Sequence, residues 1–282
     1  MKILVHLHLY YHDMLDEMLM YIQNLEDYDY DLYVTLTQKD SLLNRKILKC
    51  NKKSKIIFVK NRGFDVAPFL KVLHAVDLTK YDYIIKIHSK NDMKQSDVLY
   101  KEKFIFRGAY WRNILLEFLR SKSNLSTAIS LLQNSDAGMV SNYKLILKEN
   151  NQLNDERSDK IIRSMDLPVK EKYFVAGTMF ICKAKLMIPL LKIHHTENDF
   201  ENYDKASQVN GKLYGTLAHV YERVFGWIIY SQDYKIVPLF KPSIHNLFAN
   251  FILCKSFLFL KKADRCFGKY VIANFKKKYL SF

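Results

Sequence analysis

Tyr81-Asp82-Tyr83-Ile84-Ile85-Lys86-Ile87-His88-Ser89-Lys90-Asn91 reads as a buried β-strand that runs into charge. Side chains alternate between the two faces of a strand. Lys86, His88 and Lys90 therefore point one way, and Ile85, Ile87 and Ser89 the other. In open α/β sheets ligands bind at the carboxyl ends of the strands. A buried cation is costly unless an anion meets it. This stretch thus predicts a site for a phosphate- or diphosphate-bearing ligand. The plain alternative is an edge strand whose polar face is wet.

Working outward, strand and helix patterns alternate. Residues 2–9 read as a strand. Residues 12–24 carry Met14, Leu15, Met18, Leu19 and Ile22 at helical spacing. A strand over Asp31–Thr37 follows, then a helix opening at Asp40-Ser41, a strand over Ser54–Val59, and a turn at Asn61-Arg62-Gly63. A helix over Asp65–His74 tolerates Pro68 in its first turn. The alternation predicts an α/β fold with a mostly parallel, Rossmann-like sheet and helices on both faces. Farther on, helices are expected over 110–119 and 126–133 and a short strand at 138–140. The polar stretch 144–172 reads as an excursion, a candidate lid. One strand with an internal glycine is expected over 174–182, helices over 183–192 and 217–230, and a last strand at 235–237.

The 282 residues suffice for one large α/β domain with a small appendage. A net charge of +15 favours anionic partners. No helix-turn-helix, RRM, KH or zinc signature accompanies it, so nucleic acid is not the expected partner. Cys50, Cys182, Cys254 and Cys266 show no metal or redox spacing, as expected for reduced thiols in a cytoplasmic setting. No signal-peptide pattern follows the strand-like start, and no apolar run is long enough to span a bilayer.

Domain organisation is read as 1–244 for the α/β domain and 245–282 for a basic amphipathic helical segment. The latter carries eight Lys or Arg against a single acid, Asp264, interleaved with Phe and Leu. That pattern predicts peripheral attachment to an anionic membrane surface, at the inner face of the plasma membrane. A helical pair packed on the core with its lysines in water is the alternative.

Five segments in order carry a family resemblance. They are Asn61-Arg62-Gly63-Phe64-Asp65-Val66-Ala67-Pro68-Phe69-Leu70; Tyr81 to Asn91; Gly108 with Trp111-Arg112; Val175-Ala176-Gly177-Thr178-Met179-Phe180; and Ala218-His219-Val220-Tyr221-Glu222-Arg223. Together, over about residues 3–240, they closely resemble the rhamnan synthesis protein F family. The resemblance implies a GT-A-like fold and a glycosyltransferase of cell-surface polysaccharide assembly. It implies a nucleotide-sugar donor, dTDP-rhamnose in some members, and a lipid-linked glycan acceptor. Many GT-A enzymes end the matching strand in Asp-x-Asp, whose carboxylates hold Mg²⁺ or Mn²⁺. Here His88-Ser89-Lys90 stands in that place, which predicts metal-independent transfer with no cofactor. Asp92 and Asp97 lie just beyond and keep Mg²⁺ or Mn²⁺ open.

Site expectations follow. Lys86, His88 and Lys90, helped by Arg62 or Arg112, are expected to stabilise the leaving nucleoside diphosphate. Glu222 is the candidate base for an inverting transfer; a structural ion pair with Arg223 is its alternative. Asp65 is read either as a nucleotide contact or as a helix cap. His8, with His6, either lines the nucleotide pocket or is a hydrogen-bonded core histidine. Gly177 allows a close approach of the acceptor or simply packs closely. His219, on the Glu222 side of its helix, is placed toward the acceptor. His194-His195 reads as loop. A noncatalytic carbohydrate- or nucleotide-binding component is the alternative function.

Overall fold

The computed structural model describes residues 1–90, 98–100, 104–106, 108–133, 136–149, 152–201, 208–209, 212–213 and 216–242. The chain divides into two units, residues 1–90 with 115–239, and residues 91–114 with 240–282. In the second, the described residues include a short antiparallel pair, Val98–Tyr100 with Phe104–Phe106, and most of the helix Gly108–Leu115. The segment 245–282, Asp92 and Asp97 lie outside the described residues.

The first unit is built on a seven-stranded sheet. Its strands are β1 (Lys2–Leu9), β2 (Asp29–Leu36), β3 (Lys55–Phe58), β4 (Tyr83–His88), β5 (Ala137–Ser141), β6 (Phe180–Lys183) and β7 (Lys235–Pro238), in the order β7-β5-β6-β4-β1-β2-β3. All neighbours are parallel except β6, which runs antiparallel to both β4 and β5. The mostly parallel, Rossmann-like expectation holds. The strand that opened the reading is central, not an edge: β4 is buried throughout, between β1 and β6.

Helices α1 (Leu15–Gln23), α2 (Ser41–Cys50) and α3 (Val66–Ala75) join the first four strands. Asp40 caps α2 through its carboxylate, which accepts from the Leu42 and Leu43 N–H groups at 2.8 and 3.1 Å. Helices α4 (Gly108–Leu115), α5 (Lys122–Gln133), α6 (Gln152–Ser164) and α7 (Leu217–Ser231) follow. Phe69 of α3, Phe225 of α7 and Phe180 of β6 meet edge to face, with ring centroids 5.4–6.3 Å apart. This aromatic layer covers the sheet face that carries His6 and Lys86. On the opposite face Ile3, Val5, Leu7, Ile85 and Ile87 have no exposed surface, so that face is covered too.

Two expectations need correction. The stretch 144–172 is no open excursion. Ile146–Lys148 pairs antiparallel with Tyr173–Val175, and α6 packs against α7. Its polar composition hid a helix whose described side chains bury Ser158 and Ile162, with Met165 buried just past its end. The expected strand over 174–182 is two strands, because Gly177 and Thr178 turn the chain left-handed at φ +79° and +53°. Residues 184–192 wind as a 3₁₀-helix containing Pro189.

Helix α7 lies directly on the strand Tyr173–Val175. A Cβ on Gly226 would stand 2.4 Å from the Tyr173 carbonyl oxygen and from Phe174 Cα. Backbone cannot give way as a flexible side chain does. Gly226→Ala should therefore destabilise the fold by about 3 kcal/mol, the upper end of ordinary overpacking. Urea unfolding of the variant against the parent checks this; an unchanged midpoint refutes the close contact.

Candidate functional site

Lys86 sits in mid-sheet, level with His6 on β1 and Phe180 on β6, and has no exposed surface. Its ammonium lies 5.5 Å from the Phe69 ring centroid and 5.9 Å from that of Phe225. An ammonium has three N–H donors, and three acceptors are present. Lys86 Nζ donates to Asp65 Oδ2, to the Thr178 carbonyl at 3.0 Å and to Thr178 Oγ1 at 2.9 Å. The Thr178 hydroxyl in turn donates to Asp65 Oδ2. Burial pushes the Lys86 amine down from its ordinary value, and the Asp65 carboxylate opposes that shift.

Two left-handed turns deliver these partners. Gly63 and Phe64, at φ +69° and +53°, present Asp65 at the start of α3. Gly177 and Thr178 present the threonine. A positive φ at a β-branched residue is an uncommon, strained conformation. It is held here by named bonds. The Gly177 N–H donates to Glu222 Oε1 at 2.7 Å. The other Glu222 oxygen accepts from Arg223 Nη1. Arg223 Nε donates to the buried Glu149 at 2.6 Å, and its guanidinium lies over the Phe174 ring at 4.6 Å. Sequence reading assigned no role to Glu149 or Thr178 and named Arg223 only as the alternative ion-pair partner of Glu222; the Val-Ala-Gly-Thr run was the available signal for Thr178.

The expected site residues thus fall into groups. Lys86, Asp65 and His88 come together. Lys86 does not present its charge to a ligand, because all three of its protons are spoken for. Asp65 occupies the N-cap position of α3 but makes no capping bond; its carboxylate serves Lys86 and Thr178 instead. Burial alone would raise that carboxyl. The neighbouring His88 and Lys86, with the bonds from Lys86 and Thr178, outweigh burial and hold it well below its ordinary value. His88 Nδ1 stands 3.5 Å from Asp65 Oδ2. Burial pushes its pKa down to about 3, so the ring is neutral rather than cationic at physiological pH. Lys90 is half-buried just beyond. Burial lowers its pKa, opposed by Asp65 and Glu222, which places it in the same field. Arg62 is half-exposed, and no ion pair joins it to another described residue.

The remaining candidates have structural employment. His8 Nδ1 and His6 Nε2 both bond the Thr35 hydroxyl, at 2.9 and 3.0 Å, and His6 stacks on Phe69. They are the hydrogen-bonded core histidines of the alternative reading. Gly177 is needed because a Cβ would stand 2.6 Å from Leu115 Cδ2, so the close approach there is by a side chain of the protein itself. His219 closes a capping box, its Nδ1 accepting from the Thr216 N–H at 3.2 Å. Glu222 makes an ion pair with Arg223. Arg112 belongs to the second unit, on α4. His195 bonds the Tyr221 hydroxyl at 2.6 Å.

Among the described residues no group of three His, Cys, Asp or Glu side chains is placed to hold a metal ion. Among the described residues the donors at the end of β4 are amine and imidazole, and the Asp65 carboxylate is engaged by Lys86. This set does not suit Mg²⁺ or Mn²⁺, which require several hard oxygen ligands.

Residues 1–234 match the rhamnan synthesis protein F family, and the chain belongs to that family. Among curated proteins it is similar to WxcX, a protein of uncharacterised function from two strains of Xanthomonas campestris pv. campestris. The identities are 25% and 24% over 238 residues, covering 83% of this chain. The chain spans about a third of the length of these relatives (32%). Among solved structures it is similar to the galactosyltransferase LgtC in complex with donor and acceptor sugar analogues. There the identity is 8% and the TM-score 0.34, over 89% of this chain and 70% of that one. At that score the two folds correspond only loosely. No helix among the described residues is long and apolar enough to cross a membrane.

The buried imidazoles make stability depend on pH. His8 and His88 have folded pKa values of about 4 and about 3, depressed by burial below the ordinary 6.5. As pH falls, the unfolded chain takes up these protons first. Their contribution is therefore complete above about pH 7 and is lost between about 6.5 and 4 for His8, and down to about 3 for His88. Each ring costs about 1.4 kcal/mol per pH unit within its window. Urea midpoints should fall steadily from pH 7 to pH 5, and His8→Gln should make that slope shallower. A flat profile in the parent would show that the rings titrate normally.

Proposed function

We propose that the chain is a glycosyltransferase. It would move a sugar, with rhamnose from dTDP-rhamnose as one donor to test, onto a growing cell-surface polysaccharide carried on a lipid-linked acceptor. Family membership supports this class. The observation that carries it is the polar cluster Lys86–Asp65–Thr178 near the carboxyl end of β4, framed by two left-handed turns, with Lys90 in the field of the same Asp65. Strained, over-determined backbone of this kind is characteristic of ligand-binding sites, and strand carboxyl ends are where α/β sheets bind ligands.

In this reading Lys86 is the fixed foundation, while Lys90 and Arg62 meet the donor diphosphate. Their positive charge takes up the negative charge that builds on the leaving group, which makes the transfer metal-independent. His88 contributes a neutral hydrogen-bonding edge. The transfer is a single inverting displacement: the acceptor hydroxyl attacks the anomeric carbon, its proton passes to a base, and the nucleoside diphosphate departs. Glu222, with one oxygen on the Gly177 N–H and the other on Arg223, serves as a positioning residue for the Thr178 turn rather than as that base.

A second reading, a noncatalytic nucleotide- or sugar-binding part of a larger assembly, is favoured by one fact: the chain matches only 32% of the length of WxcX. Thermal shift over a panel of nucleoside-diphosphate sugars, in Mn²⁺ and in EDTA, tests the proposal. Ligand at about a hundred times its Kd should add roughly 2.7 kcal/mol of stability. At least one donor should raise Tm equally in both buffers, and Lys90→Ala and Arg62→Ala should each remove the shift measured against that variant's own unliganded Tm. A shift that requires Mn²⁺ refutes the metal-free donor site; no shift with any donor refutes donor binding. Donor hydrolysis or transfer by the same preparation separates the enzyme from the binding component.

A further inference from the structure

The most one-sided charge in the described chain lies away from the site, at the β3 edge of the sheet. From Lys39 to Lys60 the sequence holds eight Lys or Arg against a single acid, Asp40, and that acid is spent capping α2. Leu43 and Ile47 of α2 are buried. The opposite stripe, at i, i+3, i+4 and i+7, is Leu42, Arg45, Lys46 and Lys49, all exposed. Lys52 and Lys53 continue it past the helix end. Lys46 is paired with Asp16 of α1. No ion pair joins Arg45, Lys49, Lys52 or Lys53 to another described residue.

Apolar side chains stand out among these cations. Leu42 is 69% exposed, Leu48 41% and Phe58 37%, with Lys39 lying 5.8 Å from the Phe58 ring centroid. Single exposed apolar residues are ordinary. Three on one helix and its following edge strand, interleaved with unpaired cations, are the composition of an interfacial helix: apolar groups for the acyl boundary and cations for anionic headgroups.

We propose that the α2–β3 edge is a docking face for an anionic lipid bilayer. The net charge of +15 disfavours a second copy of the chain as the occupant. The exposed leucines distinguish a bilayer from a purely polyanionic partner, since a polyanion offers no apolar phase to receive them. Every residue named for this face lies between Lys39 and Lys60.

Flotation of the full chain with vesicles tests the proposal, using phosphatidylcholine alone and phosphatidylcholine with phosphatidylglycerol. Binding is expected only with phosphatidylglycerol and should weaken with salt. The variant Arg45→Glu/Lys49→Glu/Lys52→Glu/Lys53→Glu should bind more than about a hundredfold less tightly, since each near-surface cation contributes about fivefold. Leu42→Ser/Leu48→Ser should bind several-fold less tightly at constant salt. All these side chains are exposed, so both variants should keep the parental Tm, and the charge-reversed variant should keep its thermal shift with nucleotide sugars. Parental vesicle binding by the charge-reversed variant overturns the proposal by moving attachment elsewhere in the chain. Parental binding by the leucine variant, with equal retention on a single-stranded RNA homopolymer, also overturns it by reducing the face to a generic polyanion patch.

Discussion

An ammonium group in the middle of a sheet, roofed by Phe69 and Phe225, is the constraint around which the first unit is arranged. Removing such a charge from water costs several kcal/mol, and one counter-charge does not restore all of it. The remaining protons need acceptors as well. Asp65 supplies the charge, and the Thr178 carbonyl and hydroxyl supply the rest. Replacing one member would leave the others buried and unpaired, which costs more than the pair itself contributes. The cluster is thus a fixed point from which neighbouring groups take their positions.

Its reach extends through the two left-handed turns. Each turn puts a residue with a side chain at positive φ, Phe64 and Thr178, directly after a glycine. Neither conformation would persist without external bonds. The second is tied through Gly177 to Glu222, then to Arg223, then to Glu149 on the far side of α7. A chain of charge-assisted hydrogen bonds therefore runs from Glu149, at the end of the Ile146–Lys148 strand, to the Gly177–Thr178 turn. It explains how a strand, a helix and a turn far apart in sequence stay registered at one place. It also gives Glu222 a part that requires its charge and both of its oxygens.

The positive charge of the molecule has two kinds of employment. Inside, Lys86 is neutralised and serves geometry. Lys90 and Arg62 are the cations proposed to meet the donor diphosphate. At the β3 edge no ion pair joins Arg45, Lys49, Lys52 or Lys53 to another described residue, and exposed leucines stand among them.

Period-two and helical spacing were sufficient to place β1 to β4 and α1 to α3, because burial of one face or stripe is written locally in the order of apolar residues. The same local logic located the charged end of β4 and the Asp40 cap. It failed over 144–172, where polar composition hid α6, and over 174–182, where two left-handed residues break a run of strand-forming side chains. Above all, no spacing rule links Lys86 to Asp65 and Thr178, which are 21 and 92 residues away. A lysine at that position reads equally well as a ligand's contact or as a buried ion. Only the packed molecule, by bringing three acceptors to three donors and excluding water, chose the second for Lys86.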